Sequence, residues 1–455
     1  MELRDKKVLI VGFERTGEAL LRFLPARGAR VLVTEKKPEE DLATRIGPWK
    51  ERGIPFETGG HRVESFLGAD LIIPSPGVPP LPEIKAAMEK GIPVLSEIEL
   101  AGLFLKGRIA AVTGSNGKST TATLAHKILK DAGLRAHLAG NIGTPLISFA
   151  EKSRADDIYV TEISSFQLEY TELFKADVAA FLNISRNHLD WHKTFESYFG
   201  AKKKLFLRME ASAAAVLNRD DPLVWSLAED IPASAYAFSR RSRPRRGAFV
   251  EDGWIVLRDG APRQLVRTAR IPLPGAHNQE NVMAAALVGH LFGVPAARIR
   301  GSILSFRGLE HRLENVLTVR GVRFVNDSKA TTVEATLKAL QSFDRKIILI
   351  LGGRDKGSDF TLLRRPLRAR VRTALLIGEA AGKIEAALRE TVPLERVASY
   401  REAVRTAFER AVRGDVVLLA PACTSWDMFR NFEERGRTFK SEVRRLAARL
   451  RRDRG

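Results

Sequence analysis

Short apolar runs that alternate with helical patterns constrain the fold of this chain more than any other feature. Ten such runs, each of four to six residues, are rich in Val, Ile and Leu. Runs of this kind suit strands that are buried on both faces, as in parallel sheets covered by helices. The sequence therefore predicts an α/β fold with strands at 7–11, 31–34, 71–74, 109–113, 158–163, 178–183, 322–326, 347–351, 374–377 and 416–420.

The most informative motif is Thr-Gly-Ser-Asn-Gly-Lys-Ser-Thr-Thr at 113–121, between a predicted strand and a helical pattern at 122–130. A strand, a glycine loop and a helix in this order cradle the phosphates of a nucleotide triphosphate, because loop amides and the helix N-terminus point at them. Lys118 would reach the β- and γ-phosphates, and the Ser119 hydroxyl would bind Mg²⁺. The motif departs from the general P-loop pattern at Val112, where a glycine is expected.

The length of 455 residues exceeds one ordinary core, so we expect about two to four domains. Three stretches of strand and helix alternation emerge. Residues 1–97 form a Rossmann-like N-terminal domain, residues 98–308 a central P-loop mononucleotide-binding domain with a mostly parallel sheet, and residues 309–455 a Rossmann-like C-terminal domain. A polar region at 239–270 predicts short antiparallel strands within the central domain, and Arg307 and Gly308 are a candidate hinge.

A net charge of +20 raises the question of nucleic-acid binding. The charge is uneven: residues 1–97 hold 15 basic and 15 acidic side chains, residues 98–308 hold 28 and 20, and residues 309–455 hold 31 and 19. The densest basic runs, at 240–246 and 435–454, resemble a solvated loop and the end of a helix, and a single aromatic residue, Phe439, is interleaved with them, too few for base stacking along a strand. We therefore expect no specific nucleic-acid partner.

The remaining bulk features concern the cellular compartment. No apolar stretch reaches the roughly 20 residues of a membrane span, and the N-terminus lacks the features of a signal peptide. The single cysteine, Cys423, excludes an intrachain disulfide framework and fits a reducing compartment. We expect a cytoplasmic monomer without a membrane span.

Polar residues follow other predicted strands, at the sheet edge where ligands bind in parallel sheets. Glu162 ends one strand, and an acidic residue there can bind the Mg²⁺ of a nucleotide. His188 follows the next strand, in Asn-Ile-Ser-Arg-Asn-His-Leu-Asp-Trp-His at 183–192. The spacing of His188, Asp190 and His192 leaves zinc as an alternative, but the phosphate loop and the lack of a nearby cysteine favour Mg²⁺.

These motifs together resemble those of the Mur ligases, over essentially the whole chain. The resemblance rests on Thr-Gly-Ser-Asn-Gly-Lys-Ser at 113–119, Ala-Gly-Asn-Ile-Gly at 139–143, Glu-Ile-Ser-Ser-Phe-Gln-Leu-Glu at 162–169, Gly-Ala-His-Asn-Gln-Glu-Asn at 275–281, Glu-His-Arg at 310–312, Asn-Asp-Ser-Lys-Ala-Thr at 326–331 and Asn-Phe-Glu-Glu-Arg-Gly at 431–436. The family's loop resembles a shortened P-loop that begins at the equivalent of Gly114, which accounts for Val112.

The resemblance implies an ATP-dependent ligase of peptidoglycan precursor synthesis. Its small-molecule substrates would be UDP-N-acetylmuramoyl-L-alanine, D-glutamate and ATP, joined through an acyl phosphate with two Mg²⁺ ions. The catalytic residues it implies are Lys118, Glu162, His188, Lys202 and Lys329. The ATP-binding residues it implies are Gly114, Ser115, Asn116, Gly117, Lys118, Ser119, Thr120, Asn278, Asn281, Arg312 and Asp327. The metal ligands it implies are Ser119, Glu162, His188 and Lys202.

Lys202 aligns best with a lysine that family members carry as a carbamate derived from CO₂. A free ammonium, with an ordinary pKa near about 10.4, would sit badly beside two cations, whereas a carbamate offers them two oxygens. Lys203 and Lys204 are the alternatives in register, and a run of three lysines can also be a solvated helix face.

The remaining implied roles concern the other two substrates. The D-glutamate-binding residues would be Thr331, Lys356, Ser425 and Phe432. The UDP-sugar-binding residues would be Arg15, Thr16, Glu35, Lys36, Ser75, Pro76, Gly77, Asn141 and Ser164. The chain departs from the family at Glu14, where relatives often have glycine, and we expect Arg15 to offset this charge.

Two alternative functions stay open at this point. The chain could add another amino acid, as do the ligases for L-alanine, diaminopimelate or lysine and the folylpolyglutamate synthetases. It could also be a regulatory nucleotide-binding module without catalysis. The combination of Glu162, His188, Lys202 and Lys329 argues against a module that only binds, because such a module does not require a second metal site.

Overall fold

The computed structural model describes residues 1–273 and 275–452, with the side chains of Leu189 and Asp190 outside the description. The chain divides into two units. The first comprises residues 1–271 and 279–304, and the second comprises residues 272–278 and residues from 305 onward. Each unit is an α/β assembly with its own buried strands.

The first sheet of the first unit has four parallel strands in the order β3-β2-β1-β4. Val8 pairs with Val31 on one side and with Leu71 on the other. Its strands are β1 Lys7–Val11, β2 Arg30–Glu35, β3 Phe56–Thr58 and β4 Leu71–Pro74. Its helices are α1 Arg15–Phe23, α2 Ala43–Lys50, α3 Val63–Leu67, α4 Pro82–Glu89 and α5 Glu97–Gly102.

The second sheet of this unit has nine strands in the order β13-β12-β11-β10-β9-β8-β5-β7-β6. Its strands are β5 Arg108–Thr113, β6 Arg135–Gly140, β7 Asp157–Glu162, β8 Val178–Phe181, β9 Ala214–Asn218, β10 Ser234–Ser239, β11 Gly247–Glu251, β12 Trp254–Arg258 and β13 Pro262–Arg267. Pairing is parallel from β6 to β11, and β12 is antiparallel to both β11 and β13. The predicted antiparallel strands at 239–270 are thus confirmed.

Helices cover this second sheet between its strands. They are α6 Lys118–Asp131, α7 Ser165–Glu169, α8 Leu189–His192, α9 Phe195–Leu207, α10 Pro222–Trp225, α11 Ala276–Leu291 and α12 Ala296–Ser305. The first three residues of α11 group with the second unit.

The second unit is built on a six-stranded sheet in the order β14-β15-β19-β16-β17-β18. β14 is antiparallel to β15, and the other pairs are parallel. Its strands are β14 Glu314–Val319, β15 Val322–Asn326, β16 Ile347–Gly352, β17 Val371–Ile377, β18 Leu394–Arg396 and β19 Val416–Leu419. Its helices are α13 Val333–Gln341, α14 Arg364–Arg370, α15 Ala381–Leu388, α16 Tyr400–Arg410 and α17 Phe432–Arg452.

All ten predicted strands are present, and most of their bounds agree within one residue. The largest differences are at β8, which ends at Phe181 rather than 183, and at β17, which begins at Val371 rather than 374. Among the described residues, no helix is long and apolar enough to cross a membrane.

A buried carboxylate fixes the start of α5. Glu97 is 2% exposed, and its Oε1 accepts a hydrogen bond from the amide of Ile147 at 2.6 Å. Burial raises the pKa of Glu97 to about 7, although backbone amides at 146 and 147 oppose the shift. The folded chain therefore holds this proton at pH values where the unfolded chain has released it.

Because of this proton, we expect the stability of the folded chain to fall as the pH rises from about 4.5 to about 7. In that window the folded state binds more protons, so the free energy of unfolding decreases as pH rises. A pKa shift of this size corresponds to roughly 3 kcal/mol. We expect Glu97→Gln to stabilise the chain relative to wild type at pH 8 but not at pH 5, measured by urea unfolding.

Glu99→Gln is the matched control, because Glu99 is a second buried carboxylate on the same helix. Its oxygens accept the amides of Glu172, Leu173 and Phe174. We expect this variant to lose stability at both pH values. An equal effect of Glu97→Gln at pH 5 and pH 8 would contradict the role of the Glu97 proton.

Candidate active site

The loop at 114–117 joins β5 to α6, as the glycine motif predicts. Gly117 has a φ of +85°, in the region that favours glycine, and a Cβ there would lie 2.2 Å from Oδ1 of Asn281. Asn281 is buried, and its Oδ1 accepts a hydrogen bond from the Thr121 hydroxyl at 3.3 Å. This packing holds the loop backbone at the N-terminus of α6, where amides can face an anion.

The loop is also tied to the segment after β8. The amide of Asn116 donates to Oδ1 of Asn183 at 2.8 Å, and Nδ2 of Asn183 donates to the carbonyl of Asn116 at 3.1 Å. The Ser115 hydroxyl lies 3.0 Å from the hydroxyl of Tyr198. These bonds within the protein give the loop a defined conformation.

Lys118 bends back over the loop. Its Nζ donates to the carbonyls of Gly114 at 2.8 Å and Ser115 at 3.1 Å. Ser119 and Thr120 follow in the first turn of α6, and both are buried. Phosphate oxygens would be stronger acceptors for this ammonium than carbonyls, because they are charged. The structure therefore brings the predicted phosphate-binding residues together.

Lys202, on α9, is buried beside this loop. It is 1% exposed, its Nζ donates to Oγ1 of Thr113 at 3.2 Å, and Nζ lies 4.9 Å from the ring centroid of Tyr198. Burial, followed by the charge of Lys118, lowers the pKa of Lys202 well below its ordinary value, and Glu162 only partly offsets this effect. The environment thus favours the neutral, nucleophilic amine.

The two neighbouring lysines are engaged elsewhere. Lys203 forms an ion pair with Asp230 at 2.8 Å, and Nζ of Lys204 donates to the carbonyl of Glu169 at 2.7 Å. Both are more exposed than Lys202. Of the three lysines, Lys202 is the one that contacts β5 at the start of the phosphate loop.

Glu162 ends β7 with a carboxylate that is 2% exposed. Its Oε1 accepts a hydrogen bond from Nδ2 of Asn141 at 2.7 Å, and the Asn141 amide donates to the Glu162 carbonyl at 2.9 Å. Within the described residues, the buried Oε2 accepts no hydrogen bond. A buried acceptor without a partner is costly, so this oxygen fits a bound cation.

His188 follows β8, and the carboxyl end of β8 lies at the same edge of the second sheet as the end of β7 at Glu162. Its φ is +54°, and its ring centroid lies 4.7 Å from that of Phe166. The zinc alternative is weakened because His192 is buried and its Nε2 lies 2.9 Å from the Ser165 hydroxyl. The side chain of Asp190, the third residue of that spacing, lies outside the described residues.

The loops after β1 and β2 carry several predicted UDP-sugar contacts. The Arg15 guanidinium donates to the carbonyl of Gly143. Glu35 is buried, and its oxygens accept the amides of Phe13 at 2.7 Å and Lys37 at 3.1 Å. Glu35 therefore holds these two loops together, and its contact with a UDP-sugar stays a prediction.

The loop after β4 packs against the loop after β1. The hydroxyl of Ser75 donates to the carbonyl of Gly12 at 3.0 Å. Gly12 has a φ of +85°, and a Cβ there would lie 2.7 Å from Cγ2 of Val78. Pro76 is half-buried and Gly77 is exposed. The predicted residues at these two strand ends thus share one edge of the first sheet.

Three other predicted UDP-sugar residues have different surroundings. Thr16 is half-buried in the first turn of α1, and Lys36 is exposed. Ser164 caps α7: its hydroxyl accepts the amide of Gln167 at 3.3 Å and donates to Oε1 of Gln167 at 3.0 Å. The capping box accounts for Ser164 without a ligand.

The expectation that Arg15 offsets the charge of Glu14 is wrong. Glu14 forms ion pairs with Lys37 at 2.8 Å and Arg45 at 3.2 Å. Partial burial raises the pKa of Glu14, but these two cations together bring it below its ordinary value. The offset comes from the loop after β2 and from α2, whereas Arg15 donates to the carbonyl of Gly143.

In the second unit, the predicted residues Arg312 and Lys329 lie near the buried carboxylate of Asp327. Asp327 is 7% exposed, and its Oδ1 accepts the amide of Leu313 at 3.2 Å. Burial raises the pKa of Asp327 to about 6, against the opposing charges of Arg312 and Lys329. Asn278, also buried, groups with this unit. The predicted adenosine contacts Arg312 and Asp327 are thus close neighbours.

The predicted D-glutamate residues follow three strands whose loops are joined by backbone hydrogen bonds. Arg354 and Thr424 exchange two such bonds at 3.0 Å, and the amide of Ala422 donates to the carbonyl of Ala330 at 2.9 Å. Thr331 and Phe432 are half-buried, Ser425 is 2% exposed, and Nζ of Lys356 lies 4.4 Å from the ring centroid of Trp426.

Arg435 is a central residue of these loops that sequence reasoning missed. It is 1% exposed and donates to the hydroxyl and carbonyl of Ser328, both at 2.9 Å, and to the carbonyls of Cys423 and Thr424, both at 3.1 Å. A Cβ on Gly353 would lie 3.1 Å from its Nη1. Burial lowers the pKa of Arg435. Its sequence signal was its position in the motif at 431–436.

Two carboxylates of a polar cluster beside Arg312 already bind a cation of the chain. Glu310, His311 and Glu314 place ligand atoms within 4.8 Å of one another, the one such group among the described residues. Nζ of Lys440 donates to Glu310 at 2.5 Å and to Glu314 at 2.8 Å. We interpret this cluster as an internal ion-pair network that fixes the turn before β14.

Comparison with known proteins agrees with this geometry. Three family models match: the Mur ligase MurD-like N-terminal domain at residues 6–96, the Mur ligase middle domain at 112–289 and the Mur ligase glutamate ligase domain at 311–423. The relative named UDP-N-acetylmuramoylalanine–D-glutamate ligase from Koribacter versatilis is 45% identical over 449 residues, which cover 98% of this chain and 99% of the relative.

The chain belongs to the Mur ligase family. A relative of the same name from Acidobacterium capsulatum is 46% identical over 447 residues, 97% of each chain. The solved structure of UDP-N-acetylmuramate-alanine ligase from Thermotoga maritima covers 97% of this chain and 100% of its own, with a TM-score of 0.59 and 17% identity. That likeness extends to the three-domain α/β architecture with a mostly parallel central sheet.

Mur ligases use ATP and Mg²⁺, and the first unit of this family member offers groups that suit both. The glycine loop and Lys118 suit the phosphates. The partnerless Oε2 of Glu162 suits a divalent cation. The contact between Nε2 of His192 and the Ser165 hydroxyl counts against the zinc alternative.

Proposed function

We propose that this Mur ligase joins D-glutamate to UDP-N-acetylmuramoyl-L-alanine, with ATP converted to ADP and phosphate. The observation that carries the proposal is the buried, partnerless oxygen of Glu162 near a phosphate loop and the buried amine of Lys202. A module that only binds nucleotide does not need these groups. The names of the relatives support the choice of substrates.

Ser119, Glu162, His188 and carbamylated Lys202 would hold two Mg²⁺ ions. When bound, the ions would neutralise charge on the phosphate oxygens. Carbamylation fits Lys202 because a neutral amine can attack CO₂, forming an N–C bond and releasing one proton, and the resulting anion has two oxygens for metal. The lowered pKa of Lys202 supports the neutral amine that this reaction needs.

The reaction we propose has two steps. The carboxylate of the muramoyl-alanine substrate attacks the γ-phosphorus of ATP, so that an acyl phosphate forms and ADP leaves. The amine of D-glutamate then attacks the acyl carbonyl, phosphate leaves, and the amine loses a proton as the amide forms. Lys118 stabilises charge on the transferred phosphoryl group, and Asn141 orients Glu162 through its hydrogen bond.

Substrate contacts are assigned by the family resemblance. Arg15, Thr16, Glu35, Lys36, Ser75, Pro76, Gly77, Asn141 and Ser164 are proposed for the UDP-sugar. Asn278, Asn281, Arg312 and Asp327 are proposed for adenosine. Thr331, Lys356, Ser425 and Phe432 are proposed for D-glutamate, with Lys329 near the reacting phosphoryl group. We also retain the domain bounds 1–97, 98–308 and 309–455 as a proposal, while the monomeric state and the cytoplasmic location stay predictions.

Turnover with an amino-acid panel tests the proposal. The purified chain is given ATP, Mg²⁺ and UDP-N-acetylmuramoyl-L-alanine with D-glutamate, L-glutamate, L-alanine, L-lysine or diaminopimelate. ADP release and product mass are measured in each mixture. Of the five amino acids, we expect only D-glutamate to give product. Product with a different amino acid alone would reject the D-glutamate assignment, and nucleotide binding without any turnover would favour the regulatory module.

A further inference from the structure

The second unit contains an open cleft at the edge of its sheet opposite the predicted substrate residues. The cleft measures about 480 Å³ and is lined by Arg320, Arg413 and Arg451 together with Leu317, Val319 and Leu450. It lies between the turn joining β14 to β15, the loop before β19 and the last turns of α17. We refer to it as the arginine cleft.

The strand directions separate this cleft from the candidate active site. The turn at Arg320 precedes β15, and Arg413 precedes β19, so the arginine cleft lies at the amino-terminal edge of both parallel strands. Asp327 and Ser425 follow the carboxyl ends of the same two strands. A five-residue strand spans roughly 16 Å, so the two edges cannot share one small ligand.

The cleft has a defined shape. The amide of Gly414 donates to the carbonyl of Gly321 at 2.9 Å, which ties the loop before β19 to the turn before β15. Gly321 has a φ of +84°, and a Cβ there would lie 2.6 Å from Cγ of Arg413. The stem of Arg413 therefore lies across a glycine that no larger residue could replace without moving it.

In the described part of the chain, no acidic side chain forms an ion pair with the arginines of the cleft. Arg320, Arg413 and Arg451 are exposed, and within residues 1–273 and 275–452 none of them forms an ion pair or a side-chain hydrogen bond. Among the described residues that line the cleft, none is acidic. Asp415, two residues after Arg413, is buried and pairs with Arg372 at 2.9 Å. The described lining of the cleft therefore contains three arginines and no carboxylate.

From these observations we propose that the arginine cleft binds a small phosphate ester with an apolar group. Guanidinium forks match phosphate oxygens in pairs, and a phosphate monoester carries nearly two negative charges at neutral pH. Leu317, Val319 and Leu450 supply apolar surface for the rest of the ligand. The volume lies in the range of small-molecule sites, about 300 to 1,000 Å³. A concave site of this size favours a small molecule over a flat membrane surface.

Binding of 1-naphthyl phosphate to the full chain tests this site by calorimetry. The wild type should bind the probe at two sites, of which Lys118→Ala removes the one at the glycine loop. Adding R320Q/R413Q/R451Q to Lys118→Ala should weaken the remaining binding by about tenfold or more, because charge-assisted hydrogen bonds are lost. Inorganic phosphate should bind the cleft more weakly than 1-naphthyl phosphate, since it has no apolar group.

A matched control distinguishes binding at the arginine cleft from an effect of net charge on binding. R208Q/R345Q/R389Q removes three exposed arginines that line no part of the cleft, and added to Lys118→Ala it should leave binding unchanged. Equal losses in the two triple variants, or no loss in the cleft variant, would overturn the proposal. Binding to vesicles containing phosphatidylglycerol without binding to 1-naphthyl phosphate would overturn it in favour of a membrane surface. The cleft triple variant with Lys118 intact should ligate at the wild-type rate.

Discussion

Lys202→Ala is expected to lower ligation turnover by about a thousandfold or more. Losses of this size are typical when a group that stabilises charge is removed from a phosphoryl-transfer site. The side chain is buried beside Thr113, and its pKa is held well below the ordinary value. A carbamate there would supply two anionic oxygens for metal, which alanine cannot do. Steady-state ADP release with saturating substrates measures the effect.

Lys203→Ala is the matched control, because Lys203 is adjacent in sequence and pairs with Asp230 on the surface. We expect it to keep turnover close to wild type. The wild-type chain should also gain the mass of one CO₂ in bicarbonate buffer, and Lys202→Ala should not. Turnover should fall on removal of CO₂ and return on its addition. A Lys202→Ala variant with wild-type turnover would refute the assignment.

The pH dependence of carbamylation follows from the lowered pKa of Lys202. An ordinary lysine is almost wholly protonated at neutral pH and reacts little with CO₂, whereas a lowered pKa increases the fraction of neutral amine at any given pH. We therefore expect the carbon-13 signal of a carbamate, formed from labelled bicarbonate, to persist at pH 7. The same experiment on Lys202→Ala gives the background from surface lysines.

Much of the fold could be predicted from the sequence because its central strands are buried on both faces. The missed strands β3, β6, β14 and β18 all lie at sheet edges. An edge strand is partly exposed, so its sequence lacks the continuous apolar run on which the prediction depended; β6, for example, reads Arg-Ala-His-Leu-Ala-Gly. The missed strands β9 and β10 are buried but rich in alanine, which is a weak signal for a strand.

Sequence alone could predict those site residues whose role follows from their position directly after a strand. Glu162 and the glycine loop are examples, because strand ends meet at one edge of the sheet. The sequence could not decide which of three consecutive lysines is buried, since that depends on how α9 packs. It also could not show that Lys37 and Arg45, far from Glu14 in sequence, offset its charge.

Arg435 was missed for a similar reason. Charged residues are seldom fully buried, and an arginine in a basic C-terminal helix resembles a solvated one. Its four acceptors lie 11, 12 and 107 positions away in sequence, with two of them on Ser328. Only the three-dimensional structure therefore shows that this guanidinium joins the loop at 326–331 to the loop at 421–425.

Arg435→Lys is expected to raise the KM for D-glutamate by about a hundredfold, the effect of a misplacement of roughly 1 Å. Lysine keeps the charge but has one nitrogen, so it cannot hold Ser328, Cys423 and Thr424 together as the planar fork does. The two loops carry Thr331 and Ser425, which we propose for D-glutamate. The KM for the UDP-sugar should stay near wild type, because its proposed contacts lie in the first unit.

A rise in the KM for D-glutamate without a rise in the KM for the UDP-sugar would indicate a positioning role. A general loss of folding would instead lower the active fraction without changing either KM. Arg437→Lys, an exposed position two residues along α17, should change neither KM. If Arg435→Lys does not fold, Ser328→Ala provides a second test. It removes the hydroxyl that accepts from Nε of Arg435 at 2.9 Å and donates to the Phe432 carbonyl at 2.8 Å. A smaller rise in the KM for D-glutamate is expected there, and wild-type KM values in both variants would show that Arg435 does not position the D-glutamate site.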